Sequence, residues 1–168
     1  MSISRLVSMK LTLVDLIDES FTEYKLPHML VAFPYCSFKC DIENGNQVCQ
    51  NWELAKARRI VVEAEDVVAR YVSNDLTKAV VFAGLEPFDS WQEMIGLIKA
   101  FREVTHDDIV IYTGYNPKEI NPKITYLNMM FDNIIVKFGR YRPGQEKHKD
   151  KVLGVELASN NQYAERIC

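Results

Sequence analysis

Short apolar runs recur along the chain, and each is followed by a polar or glycine-containing turn. Four runs have the length and the β-branched or aromatic content of buried strands, and they cover residues 29–33, 79–82, 109–112 and 134–136. Imperfect alternation over residues 6–16, ended by polar residues 18–20, predicts one strand or two short ones. Residues 152–157 predict a final strand.

Between these runs the apolar positions recur at helical spacing. Residues 64–73 and 91–104 each predict an amphipathic helix. Residues 117–130 predict a partly helical segment interrupted by Pro122, and residues 52–59 a short helix or an irregular return. Because strands alternate with helices, we expect an α/β fold with a largely parallel sheet, whose functional edge lies at the carboxyl ends of the strands.

Length and composition narrow the class of protein. A chain of 168 residues with 48% hydrophobic and 26% charged residues predicts a single globular domain over residues 1–168. The net charge of −3 gives no reason to expect nucleic acid or an anionic membrane as partner. The sequence has neither a secretory leader pattern nor an apolar run of about 18 residues. We therefore expect a cytoplasmic protein, in which thiols stay reduced.

Three of the four cysteines fall in one short segment directly after the strand predicted at residues 29–33. They are Cys36, Cys40 and Cys49, with three and then eight residues between them. Clustered thiolates suit a soft metal centre, and three of them on a four-iron cluster would leave one iron free to bind a substrate. A three-cysteine zinc site with a fourth ligand from His28, Cys168 or elsewhere is the alternative, although Cys168 is most simply a free terminal thiol.

Two other predicted strands end in turns that can approach a ligand. Residues 84–87 follow the second strand with Gly84, Leu85, Glu86 and a proline, and residues 113–115 follow the third. A glycine after a strand admits a ligand close to the backbone, and a carboxylate such as Glu86 could pair with an ammonium group. Each turn alone is more often structural, but three such strand ends on one edge of a parallel sheet favour a shared site.

Together, the cysteine segment, the turn at residues 84–87 and the Thr-Gly-Tyr turn at residues 113–115 resemble the radical S-adenosylmethionine (radical SAM) superfamily. Within it, the chain is most similar to the small activating proteins of anaerobic ribonucleotide reductase. The resemblance runs from residue 14 to residue 162, and includes a glycine turn at Gly139 and the tail at residues 158–162. It implies a compact partial β/α barrel, open on one side.

The resemblance also implies the site residues. Cys36, Cys40 and Cys49 would hold a [4Fe-4S] cluster whose open iron chelates S-adenosylmethionine. The residues implied to contact that cofactor are Val48, Gly84, Leu85, Glu86, Thr113 and Gly114. Three departures stand out: eight residues instead of two separate Cys40 from Cys49, Val48 replaces the usual aromatic before the third cysteine, and Leu85 replaces a glycine. A glycine-rich segment that precedes the family's first strand is also missing, with residues 18–25 in its place.

The implied activity is radical chemistry on a large partner. A reduced cluster would cleave S-adenosylmethionine to methionine and a 5′-deoxyadenosyl radical, which would abstract a hydrogen from a glycine of a glycyl-radical enzyme such as anaerobic ribonucleotide reductase. A flavodoxin-type or similar protein would donate the electron. No catalytic side chain beyond the cluster and S-adenosylmethionine is implied, and the three histidines are expected to be structural or solvated.

Two other functions stay open at this point. One is a small radical SAM enzyme that acts on a small molecule, and the other is a non-catalytic zinc-binding or cluster-binding interaction module. The basic residues of the segment 140–151, which we expect to form an exposed loop, suggest a docking surface for an acidic partner, although a solvated loop is the simpler interpretation.

Overall fold

The predicted buried strands lie side by side in one sheet. The computed structural model describes residues 9–168, and in it the strands are β1 (Lys10–Leu13), β2 (Asp15–Ser20), β3 (His28–Phe33), β4 (Ile60–Glu63), β5 (Ala79–Gly84), β6 (Asp108–Tyr112), β7 (Ile134–Phe138), β8 (His148–Lys149), β9 (Glu156–Leu157) and β10 (Tyr163–Arg166). The α-helices are α1 (Lys39–Asn44), α2 (Trp52–Ala55), α3 (Ala64–Val72), α4 (Trp91–Arg102) and α5 (Asn121–Met130).

The main sheet is mixed. Its six strands follow the order β10-β7-β6-β5-β3-β2. The central neighbours β3, β5, β6 and β7 are parallel, whereas β2 and β10 pair antiparallel at the two edges. Two small antiparallel pairs, β1 with β4 and β8 with β9, stand apart from it. The fold is therefore α/β with a mixed sheet, and its description as an open partial barrel stays a prediction.

Both faces of the parallel strands are buried, as their continuous apolar sequences require. Alternate residues such as Val80 and Phe82 face α3 and α4, where they meet Phe101 in the larger core. The intervening strand residues face the other side of the sheet, where they pack against side chains from outside these strands. This second cluster contains Val81, Val110 and Ile135 of the strands, together with Tyr24, Leu153 and Leu157. The functional cavity described below opens on this second face.

Most of the predicted elements are confirmed. The helices predicted at residues 64–73 and 91–104 are α3 and α4, and residues 52–59 form the short helix α2 followed by an irregular return. Residues 117–130 contain a 3-10 turn, Pro117–Glu119, and then α5. Pro122 does not interrupt that helix. It lies in the first turn, where amide groups have no acceptor within the helix, so a proline costs no hydrogen bond.

The N-terminal prediction covers residues that the structure describes only in part. Residues 6–8 lie outside the described range, and the rest of the stretch forms two strands, β1 and β2. The second strand continues to Ser20, so the prediction that residues 18–20 end it was wrong. β4 was not predicted, because its residues are largely exposed and pair only with β1.

The C-terminal third differs more from prediction. Residues 140–151 are not exposed throughout, since Arg140 and Asp150 are buried and β8 pairs with β9. Of the strand predicted at residues 152–157, only β9 forms, and the last strand is β10, an edge strand whose exposed polar residues hide its pattern. Among residues 9–168, the structure contains no helix with the length and apolar character needed to cross a membrane.

Candidate functional site

A cavity of about 420 Å³ lies where the parallel strands end. The predicted site residues that line it are Cys36, Cys40, Cys49, Gly84, Leu85, Glu86, Thr113 and Gly114. The parallel register aligns the ends of β3 and β5, with Phe33 opposite Gly84, and thereby brings separate turns to one edge. Val48 is half-buried outside this lining, and its contact with a cofactor stays a prediction.

The cysteine segment contains a short helix rather than a continuous loop. Cys40 lies in α1, which begins after Phe38 and ends before Gly45, and both flanking residues have left-handed backbone, with φ values of +54° and +70°. Cys36 precedes this helix and Cys49 follows it. All three thiols are free and partly exposed, and the three cysteines line one cavity.

Backbone amides already point at the sulfur atoms. The amide of Phe38 donates to Cys36 Sγ at 3.2 Å, and that of Asn51 donates to Cys49 Sγ at 3.4 Å. Burial raises the pKa of Cys36 to about 12 and also raises the pKa values of Cys40 and Cys49. The thiols are therefore protonated in the absence of metal, and metal binding must displace those protons.

Glu86 connects the turns after β5 and β6. Its side chain is only 4% exposed, and its carboxylate accepts hydrogen bonds from the Gly114 amide at 2.8 Å, the Phe88 amide at 3.1 Å and the Thr113 hydroxyl at 2.9 Å. Burial raises the pKa of Glu86 to about 7, although these hydrogen bonds favour the charged form. A carboxylate has room for about four hydrogen bonds, so a further donor in the cavity can still bind.

Gly84 lets the β5 turn pass close to the neighbouring strand. Its φ is +90°, and a Cβ atom there would lie 2.7 Å from the backbone nitrogen of Phe33. A side chain is therefore excluded by both conformation and space. The Gly84 carbonyl accepts a hydrogen bond from Asn51 Nδ2 at 3.0 Å, which ties the cysteine segment to this turn.

The structure adds Lys137, which sequence reasoning missed. Lys137 lines the cavity, is 6% exposed, and donates from Nζ to the Gly139 carbonyl at 3.2 Å. Burial lowers its pKa to about 8, while the negative charge of Glu86 works in the opposite direction. The signal was the two-residue period of β7, which puts Lys137 on the same inward face as Ile135.

The glycine turn at Gly139 and the tail at residues 158–162 meet at the cavity. Gln162 lines it and donates from Nε2 to the Gly139 carbonyl at 3.2 Å, and Asn161 donates to the Arg140 carbonyl at 2.8 Å. Gly139 has a φ of +104°, which its missing side chain permits. These contacts fix the chain that carries Lys137 into the site.

Comparison with known proteins decides the family. Residues 28–163, the greater part of the chain and a range that includes Cys36, Cys40 and Cys49, match the sequence model of the 4Fe-4S single cluster domain. The chain belongs to the 4Fe-4S single cluster domain family. No curated protein and no solved structure matches the chain.

A 4Fe-4S single cluster domain needs cysteine ligands, and three candidates face this cavity. Within residues 9–168, no three cysteine, histidine or carboxylate side chains are grouped closely enough to hold a single metal ion. A cluster does not require such convergence, because each cysteine binds a different iron atom. Three thiols that line one cavity, two of them accepting amide hydrogen bonds, fit a cluster in their donor chemistry.

The two alternative ligands lie at the opposite end of the sheet in this 4Fe-4S single cluster domain. His28 begins β3, and its ring nitrogens contact the Leu26 carbonyl at 2.7 Å and Glu23 Oε2 at 2.6 Å. The Cys168 carbonyl accepts from the amide of Ile134, the first residue of β7. Because the cavity lies at the carboxyl ends of these strands, neither residue is placed to complete a zinc site with the clustered cysteines.

Proposed function

We propose that this 4Fe-4S domain is a radical SAM activating enzyme that generates a glycyl radical on a partner enzyme. The observation that carries the proposal is the shared cavity: the three clustered cysteines, the turn at residues 84–86 and the turn at residues 113–114 all line it. A cluster-binding segment next to polar groups suited to an amino acid is what cleavage of S-adenosylmethionine requires.

The cysteines would hold the cluster through three of its irons. Once bound and reduced by a flavodoxin-type donor, the cluster would supply the single electron whose transfer to the sulfonium of S-adenosylmethionine yields methionine and a 5′-deoxyadenosyl radical. The chain's part is to orient that cofactor and exclude water. The amides that donate to Cys36 and Cys49 would tune the potential of the cluster.

Charged groups in the cavity match the methionyl end of S-adenosylmethionine. Glu86 is the buried carboxylate that would bind its ammonium group, and Lys137 is the buried ammonium that would bind its carboxylate. Gly84, with no side chain, leaves the strand end open to close approach. Thr113 and Gly114 act through Glu86, because both donate hydrogen bonds to its carboxylate and thereby fix its position.

The size of the cavity favours a large substrate over a second small one. Pockets for drug-sized ligands measure roughly 300–1,000 Å³, and at about 420 Å³ this cavity is at the lower end of that range. With S-adenosylmethionine in place, little room remains for another small molecule. The hydrogen donor would therefore reach the cavity from outside, as a loop of a glycyl-radical enzyme such as anaerobic ribonucleotide reductase.

Anaerobic reconstitution with iron and sulfide, followed by reduction with dithionite in the presence of S-adenosylmethionine, tests the proposal. We expect the reconstituted protein to form 5′-deoxyadenosine and methionine in equal amounts. The Cys49→Ala variant should form neither, because it removes a cluster ligand. Cys168→Ala is the matched control, since it removes a thiol remote from the cavity, and it should retain wild-type product formation.

The partner is tested in the same reaction mixture. Added anaerobic ribonucleotide reductase should develop the electron paramagnetic resonance doublet of a glycyl radical while 5′-deoxyadenosine accumulates. Formation of 5′-deoxyadenosine without a protein radical would contradict the proposed partner enzyme and favour a small-molecule substrate. A stable four-iron cluster without any cleavage, with or without the partner, would contradict the enzyme and favour a cluster-binding interaction module.

A further inference from the structure

Asp41 is the first residue of the segment between Cys40 and Cys49. We propose that Asp41 is the positioning residue that holds Cys49 in place for the cluster, across a connection that is eight residues long. The inference rests on the cluster ligands assigned above, but not on the cleavage of S-adenosylmethionine. It concerns how this chain accommodates its unusual spacing.

One carboxylate makes three hydrogen bonds within this segment. Asp41 Oδ1 accepts from the Val48 amide at 2.8 Å and from the Cys49 amide at 2.7 Å. Asp41 Oδ2 accepts from the indole nitrogen of Trp52 at 2.7 Å. Since Asp41 directly follows Cys40 in the chain, these bonds connect one cluster ligand to the backbone of another.

The indole that Asp41 binds is itself fixed by an aromatic contact. Trp52 stacks on Phe38, with ring centroids 4.6 Å apart and ring planes inclined by 10°. Phe38 lies between Cys36 and Cys40, and its amide donates to Cys36 Sγ. The Asp41 carboxylate and this aromatic pair therefore connect the surroundings of all three cysteines.

The hydrogen bonds of Asp41 provide conformational order that a shorter connection between Cys40 and Cys49 would have by its length alone. Closing a longer connection costs more conformational entropy, and every residue of α1 and α2 is at least partly exposed, so burial contributes little to ordering the segment. Charge-assisted hydrogen bonds to backbone amides offset that cost. The same carboxylate determines where the Cys49 backbone lies, and therefore where its sulfur can reach.

Replacement of Asp41 by asparagine creates a specific conflict. Asparagine keeps one oxygen that can accept from Val48 and Cys49, but its amide nitrogen would then face the Trp52 indole nitrogen, and both atoms are donors. Trp52→Phe removes the indole donor while keeping a ring to stack on Phe38. In D41N one side of this conflict must give way, so either the two backbone bonds or the indole bond is lost. The double variant D41N/W52F has no indole donor at this place and should form both backbone bonds.

The test measures the rate of iron loss from the reconstituted cluster to a chelator under anaerobic conditions. We expect D41N to lose iron about 10–100-fold faster than wild type, which is the usual cost of removing a group that orients a metal ligand. W52F alone should stay within about fivefold of wild type, and D41N/W52F within about fivefold of W52F. Glu53→Gln is the matched control, because the Glu53 side chain is 94% exposed and carries the same charge in the same segment.

Two results would overturn the proposal. Iron loss from D41N at the wild-type rate would show that Asp41 does not position Cys49, and a double variant that loses iron as fast as D41N would show that charge matters rather than hydrogen-bond geometry. A wild-type protein that takes up no cluster would instead refute the ligand assignment itself, and with it this inference.

Amide hydrogen exchange in the metal-free chain gives a readout that needs no cluster. In Asp41→Ala, the amides of Val48 and Cys49 should exchange about tenfold faster, because each loses a hydrogen bond to a charged acceptor. Unchanged exchange in a folded Asp41→Ala protein would also overturn the proposal. This measurement decides the matter even where a variant is too unstable to be reconstituted.

Discussion

At the scale of single residues, Glu86 joins two of the turns that line the cavity. Its carboxylate binds the turn after its own strand, through Phe88, and the turn after the next strand, through Thr113 and Gly114. It is also buried in the cavity that the cysteines line. A pKa of about 7 means that small changes in pH, or a nearby positive charge, decide whether this group is ionised.

The charge of Glu86 predicts a pH dependence for cofactor binding. Its pKa is raised in the folded protein, so its contribution to stability without a ligand is present below about pH 4.5 and is lost as the pH rises through about 7. A bound ammonium group favours the ionised form, so S-adenosylmethionine should bind the unreduced, cluster-loaded protein several-fold more tightly at pH 8 than at pH 6. Isothermal titration calorimetry at the two pH values measures the difference.

Glu86→Gln should bind S-adenosylmethionine weakly and with the same affinity at both pH values. Lys137→Met is the control for the other buried group with a shifted pKa in this cavity, and it should keep the difference between pH 6 and pH 8. If Glu86→Gln retained the wild-type difference, the ionisation of Glu86 would not be its source.

The sequence predicts a site residue well when a clear apolar run precedes it, and poorly when its role depends on the path of the chain. Cys36, Cys40, Cys49 and Glu86 were placed at strand ends because the apolar runs before them are unambiguous. Lys137 was missed because a lysine after an apolar run is normally taken to mark the end of a strand, whereas here the strand continues to Phe138. The role of Asp41 depends on where the chain turns back, which spacing alone does not reveal.

At the scale of elements, an ion pair joins α1 to the turn after β7. Arg140, at the turn after β7, is 5% exposed and lies 3.3 Å from Glu43 in α1, and it also pairs with Glu119. The sequence suggested that Arg140 belonged to an exposed basic loop. The structure places it instead beneath the cysteine segment, where its guanidinium group joins elements that are distant in sequence.

Arg140→Met should therefore loosen α1 without unfolding the sheet. We expect the amides of α1 to exchange about fivefold faster, because a partly exposed ion pair of this kind contributes about 1 kcal/mol. Hydrogen exchange followed by mass spectrometry resolves this peptide. Arg142→Met is the matched control because Arg142 is exposed, and equal exchange in the two variants would show that Arg140 does not hold the helix.

The sequence predicts best those elements whose burial requires a continuous run of apolar residues. The strands β3, β5, β6 and β7 have buried apolar residues on both faces, and each was found within one or two residues of its true bounds. β10 escaped because it is an edge strand in which Ala164 is the single buried residue. Short elements such as α1 and α2 depend on contacts with distant residues, and local pattern does not contain that information.

At the scale of the whole molecule, the structure divides into a well-packed body and a cysteine segment with little burial of its own. The larger core joins the sheet to α3 and α4, whereas every residue of α1 and α2 is at least partly exposed. A cluster would therefore add order to a segment that burial does little to hold in place. Its effect on the body should be small.

Removal of the cluster should change these two parts differently. After chelation, we expect peptides covering residues 36–56 to exchange at least about tenfold faster, since the metal's contribution to their order is lost. Peptides from β5, β6 and α4 should keep their protection, and the far-ultraviolet circular dichroism should change little. Loss of protection throughout the chain would show instead that the body depends on the cluster to fold.

The stacking of Trp52 on Phe38 has a practical consequence. The chain has two tryptophans, and the second, Trp91, packs beside Phe88 at the start of α4 rather than on the cysteine segment. Iron–sulfur chromophores absorb where indole emits, so Trp52 should be quenched when the site is filled and should fluoresce when it is empty. The intrinsic fluorescence of Trp52 should therefore report cluster occupancy, and it can be measured in a sealed cuvette without any added label.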